Sequence, residues 1–229
     1  MTPLTDSDSV LRSVGATRLA ALCGLLWPIL AVTRLPLTGE PDLPGWTETP
    51  EAIVAFYRDS SFDGQFVAGV GLVTLGYMLL LVFVSKLSVL IGEDRNGAPW
   101  LGRSVLAFAI VSVIASVGYL MAFATAVFWS SHGGLGDDGY LVLHGLSFAA
   151  YWAVLPADLM LGLTLGGAIL LTRMFPRWLG WAMILTGVAE GVSWFASPDA
   201  WNATSGLPYV WFLIAAIIVL RKPEEYVSR

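Results

Sequence analysis

Apolar residues in this chain do not alternate with polar ones at a strand period. They run for about twenty residues at a time, the length a helix needs to cross ~30 Å of hydrocarbon at ~1.5 Å per residue. Six such stretches occur, at about residues 19–35, 65–85, 102–129, 141–172, 178–196 and 203–220. Open strands leave backbone groups unsatisfied in lipid, so each stretch reads as a helix. The last is the shortest: Gly206 and Pro208 leave Tyr209 to Leu220 uninterrupted, and Pro208 fits only as a first-turn residue or a kink. The pattern predicts an all-α, polytopic transmembrane helical bundle of six spans, forming one domain over residues 1–229.

Basic residues in short flanking loops resist translocation and so set orientation. With the N-terminus inside, one side collects Arg12, Arg18, Lys86, Arg95, Arg103, Arg173, Arg177, Arg221, Lys222 and Arg229, ten of the twelve Lys and Arg; the other side keeps Arg34 and Arg58. This asymmetry predicts that both termini are cytoplasmic. The first span follows Arg12 and Arg18 much as a secretory leader would, but it ends at Thr33-Arg34-Leu35-Pro36 without a small-x-small cleavage site, and Asp6 and Asp8 precede it. A retained anchor is expected.

Composition agrees: 56% of the 229 residues are hydrophobic and 13% charged, with mean hydropathy +0.73. A soluble globule and a disordered chain are excluded. Cys23 is the single cysteine, so no internal disulfide forms. The net charge of −5 argues against nucleic acid as a partner. The expected partners are the lipid bilayer, other membrane proteins or a second copy of the chain, and a small-molecule or ion ligand.

Residues 36–64 form the longest external loop, irregular through Pro36, Pro41, Pro44 and Pro50. Thr49-Pro50-Glu51 then reads as a helix start with Thr49 at the N-cap, giving a short surface helix at about 50–60. Asp137, Asp138, His132 and His144 invite a divalent-metal reading, but adjacent acids usually form a solvated turn and metal-ligand spacing is missing. No metal site and no cofactor are expected. Asn202-Ala203-Thr204 matches a glycosylation sequon by chance. Pro99-Trp100-Leu101-Gly102 and Pro176-Arg177-Trp178-Leu179-Gly180 end two inner loops alike, a faint internal repeat.

The segments Leu143-His144-Gly145 through Leu161-Gly162, Pro176-Arg177-Trp178-Leu179-Gly180-Trp181 and Ile184-Leu185-Thr186-Gly187 resemble the C-terminal half of an uncharacterised bacterial family of six-span membrane proteins, a domain of unknown function. Its members carry a similar Leu-His-Gly start to the fourth span and a Pro-Arg-x-Leu-Gly turn before the fifth. About 45 residues carry the resemblance. It implies six spans and a location in the bacterial cytoplasmic (inner) membrane, and it transfers no functional residue.

Ionisable groups inside the bilayer are costly, so each is a candidate site. Asp158 lies 15 residues above Arg173 and Glu190 lies 13 above Arg177, which puts both carboxyls about 20 Å from the inner edge. Arg34 and Tyr119 are expected at a similar height. On the fourth span Tyr151, Leu155, Asp158, Gly162 and Leu165 share one side; on the fifth, Met183, Gly187, Glu190 and Trp194 do. Gly162 and Gly166 form a small-xxx-small pair that, with Gly187, suits close helix packing. Pro156 frees carbonyls on the turn below Asp158.

Two readings follow. In one, a small transporter or channel-like protein uses Asp158 and Glu190, with Arg34, Tyr119 and Tyr151 around them, to hold a proton, a cation or a cationic ligand. In the other, Arg34, Asp158 and Glu190 form a structural network in a non-catalytic assembly subunit. Catalytic residues are not expected: both histidines are read at or beyond the outer edge of span four, away from haem-ligating depth, and neither a serine-histidine pair nor a phosphate loop is visible.

Overall fold

The computed structural model describes residues 6–38, 44, 48–60, 64–94, 99–196 and 204–226, without the side chains of 6–12, 34–38, 65 and 194–196. Among the described residues, seven helices and one 3-10 turn follow in order: α1 Asp6–Thr38, α2 Pro50–Asp59, α3 Gly64–Glu93, α4 Pro99–Ser131, α5 Asp137–Thr172, α6 Arg177–Ala196, α7 Leu207–Arg221 and the 3-10 turn Pro223–Tyr226. Four of them, α1, α3, α4 and α5, contain stretches long and apolar enough to cross a membrane; α7 is a shorter apolar helix of 15 residues. Every long helix turns large apolar side chains outward. On α1 these are Leu19, Leu22, Leu26 and Ile29, and on α4 Ile110, Val111 and Ile114. In water so much exposed apolar surface would drive aggregation; facing lipid it costs nothing. The molecule is a helical membrane protein.

The helices close into a ring. Successive neighbours α3, α4, α5 and α6 pack in chain order, α7 follows α6, and α1 completes the circle by packing chiefly against α3 and α7. Trp27 makes that closure. Its indole lies among Tyr77 of α3 and Tyr209 and Phe212 of α7, with ring centroids 6.3, 4.9 and 5.2 Å away. One turn earlier, Gly24 lets the Phe83 ring lie flush on α1, where a Cβ would overlap it. Between α3 and α4, Ser88 Oγ donates to the Gly102 carbonyl at 2.8 Å. Between α6 and α7, Trp211 Nε1 donates to the Leu179 carbonyl at 2.8 Å. Pro208 occupies the first turn of α7, where its missing N–H costs no helical bond.

Two apolar clusters divide the interior. The larger fills the basic end and middle of the ring through Leu87, Val105, Leu165, Ile169, Leu179 and Phe212, among others. The smaller lies at the opposite end, where Ile53, Val54 and Tyr57 of α2 seal against Phe66, Phe123, Val127 and Tyr140. The helix α2 begins as its sequence dictates: Thr49 accepts from the Ala52 N–H at 3.3 Å and Pro50 opens the first turn. It therefore caps the bundle over α4 and α5.

Candidate intramembrane carboxylate site

The site is built on the crossing of α5 and α6. Gly162 and Gly166 on α5 meet Gly187 and Gly180 on α6 so closely that a Cβ at Gly162 would lie 2.8 Å from Gly187 Cα, and one at Gly166 2.6 Å from the Gly180 carbonyl oxygen. Small residues let the two backbones touch. The antiparallel register that pairs 162 with 187 carries Asp158 opposite Glu190, one turn further from the basic end. Glu190 is buried at 6% exposure and Asp158 partly buried, and the two carboxyls are close enough to interact. From α4, Ser112 hydroxyl donates to the Asp158 carboxyl. Two carboxyls are thus held at one level by three helices.

Polar residues continue from this pair toward the α2 end. On α4 they are Ser112, Ser116 and Tyr119; on α5 they are His144, Ser147 and Tyr151, spaced three and four residues apart and so on one face. Ser112, Ser116, His144 and Ser147 are buried, as are Thr186 and Ser193 beside Glu190 on α6. Ser193 Oγ meets Thr204 Oγ1 at 2.7 Å. Rings fill the spaces between hydroxyls: Tyr119 lies 5.6 Å from Tyr151, Phe148 6.3 Å from Tyr151, and His144 4.9 Å from Phe148. At the far end, Tyr57 of α2 is fully buried and its hydroxyl lies 3.1 Å from His144 Nδ1. Burial pushes the Tyr57 phenol well above its ordinary value, and the neighbouring Tyr119 adds to the shift, so Tyr57 stays protonated and keeps a proton to donate. Among the described residues, His144 Nε2 is buried without a hydrogen-bond partner, a rare condition for a polar atom.

Tyr119 does not sit at carboxyl height. The α4–α5 register pairs Gly118 with Ala150 and Tyr119 with Tyr151, seven residues or about 10 Å from Asp158 along α5. Counting up from Arg103 and from Arg173 treats both as one plane, whereas this register sets Arg103 higher, and Ser112 takes the level expected for Tyr119. His144 likewise lies two turns inside α5, because that helix starts at Asp137 and α2 covers its first turns. The Arg34 backbone lies in the last turns of α1, whose main neighbours are α3 and α7; its side chain, and that of Trp194, lie outside the described residues. Asp137 binds Arg58 of α2, and among the described residues no three metal-ligating side chains cluster. No family model matches the chain, and neither a curated protein nor a solved structure matches it.

Sequence patterns missed Ser112, His144 and Tyr57 as members of this polar layer. The signal for His144 was its spacing to Ser147, Tyr151 and Asp158 on one helix face. Nothing local marks Tyr57, which joins through tertiary packing.

Proposed function

We propose that this is a six-span integral membrane transporter or channel-like protein, with both termini cytoplasmic, that takes up a proton or a cation at Asp158 and Glu190. The observation that carries the reading is the pairing of two carboxyls across a glycine-packed crossing within the hydrophobic part of the bundle. Two carboxylates at one level in low dielectric repel each other unless a proton or a cation comes between them. A structure that holds them together therefore favours binding of positive charge. The buried hydroxyls and His144 supply groups that relay a proton or line a path toward the α2 end, and Tyr57 closes that end. Opening would consist of lifting α2 from His144.

The basic residues gathered at the opposite end, with exposed Trp100 and Trp178 beside them, support an inner-membrane orientation with that end in the cytoplasm. The test is reconstitution. In liposomes loaded with a pH-sensitive dye, a potassium diffusion potential drives proton entry through the parent protein, and Glu190→Gln and Asp158→Asn each abolish it. Proton entry at the parental rate in both variants refutes the reading.

A further inference from the structure

At the basic end, away from the carboxyls, a cleft of about 440 Å³ opens between the α5–α6 turn, the end of α7 and the 3-10 turn. Arg173, Arg221 and Lys222 supply three cations, and Glu225 one carboxylate that holds Lys222 at 2.8 Å. The rest of the wall is mostly apolar: Pro176 and Ile218, with Met174, Phe175 and Tyr226 behind them showing only 3–5% of their surface. We propose that this cleft binds the phosphate of an anionic glycerophospholipid from the adjacent leaflet, with the arginines on the phosphate and the apolar wall against the glycerol and first acyl carbons.

Four considerations support it. The composition is two-faced, as an amphiphile requires and a free anion does not. The depth is right, because Trp178 follows Pro176 in the same turn and is exposed, and tryptophan marks the headgroup level. Basic pockets between transmembrane helices are suited to lipid phosphates. Finally, Arg173 stops α5 in the left-handed conformation, at φ 54°, where its N–H bonds the Ile169 carbonyl. That position favours glycine or asparagine, and the Arg173 side chain lines the cleft.

This strain supplies a discriminating test. Arg173→Gly relieves the backbone while deleting the cation, so the variant folds at least as well as the parent but binds lipid less tightly. The full-length protein in neutral detergent is melted with short-chain phosphatidylglycerol, short-chain phosphatidylcholine or inorganic phosphate. Phosphatidylglycerol at about a hundred times its Kd raises the parent Tm by roughly 5–10 °C. Arg173→Gly and Arg221→Gln each weaken that binding by about fivefold, the share of one arginine near a charged lipid surface. Equal stabilisation by phosphatidylcholine or by inorganic phosphate overturns the lipid assignment. Unchanged phosphatidylglycerol affinity in both variants overturns the site.

Discussion

Gly162→Ala adds one methyl group at the point where α5 and α6 touch. The new carbon would lie 2.8 Å from Gly187 Cα, 3.0 Å from the Met183 carbonyl oxygen and 3.2 Å from Gly187 N, against about 3.5–4.0 Å for a relaxed carbon contact. All three neighbours are backbone atoms, so no side chain can swing aside and the helices must separate by several tenths of an ångström. Overpacking of this kind costs about 1–3 kcal/mol. Gly167→Ala, five residues on in the same helix, is the control: a Cβ there meets nothing within 4 Å. Both variants gain the same intrinsic helix preference, up to about 1 kcal/mol, so the difference between them isolates the contact. Thermal melting in detergent should place Gly162→Ala below Gly167→Ala by roughly 2–10 °C. Because the wedge lies one turn from Asp158, proton entry should also fall in Gly162→Ala and persist in Gly167→Ala. Equal melting temperatures would refute the packing argument and, with it, the register that sets Asp158 opposite Glu190.

Tyr57→Phe deletes the hydroxyl that meets His144 and leaves a buried imidazole with neither nitrogen paired, a loss of about 1–3 kcal/mol measured by melting at neutral pH. The phenol is pushed above its ordinary value by burial, so its contribution is complete below about pH 10 and is lost as the pH rises further, because the unfolded chain ionises first. Parent and Tyr57→Phe should therefore converge in stability under strongly alkaline conditions. The Arg58–Asp137 pair is exposed on both sides, and a double-mutant cycle should return less than about 1 kcal/mol. In a Cys23→Ala background, an impermeant maleimide applied to intact cells should label Gly136→Cys and spare Asn96→Cys, as the distribution of basic residues requires; the reverse pattern would invert the bundle.

Helix existence was legible because runs of about twenty apolar residues have no other stable form in lipid. Each of the six expected stretches overlaps a described helix, four of which are long and apolar enough to cross a membrane, and ends are shifted by up to about a dozen residues where polar termini extend beyond the apolar core. The α5–α6 contact was also readable, since Gly162, Gly166 and Gly187 fall on helix faces by simple periodicity. Relative heights were less legible. Charged residues such as Arg103 and Arg173 mark an interface only to within a turn or two, so the Tyr119 level came out about 10 Å from Asp158. Contacts made by α2 were invisible, because a ten-residue surface helix carries no signal for what lies beneath it. The Tyr57–His144 bond spans 87 residues of sequence, and only the closed ring brings its partners together.

The central claim is that Asp158 and Glu190 together take up positive charge inside the bundle. Infrared difference spectroscopy of the protein in lipid, stepped between acid and alkaline buffer, reads carboxyl protonation directly. The account predicts a protonated-carboxyl band that changes across the step in the parent and is removed or shifted by Glu190→Gln and by Asp158→Asn. A spectrum whose carboxyl region is the same in the parent and in both variants would contradict it.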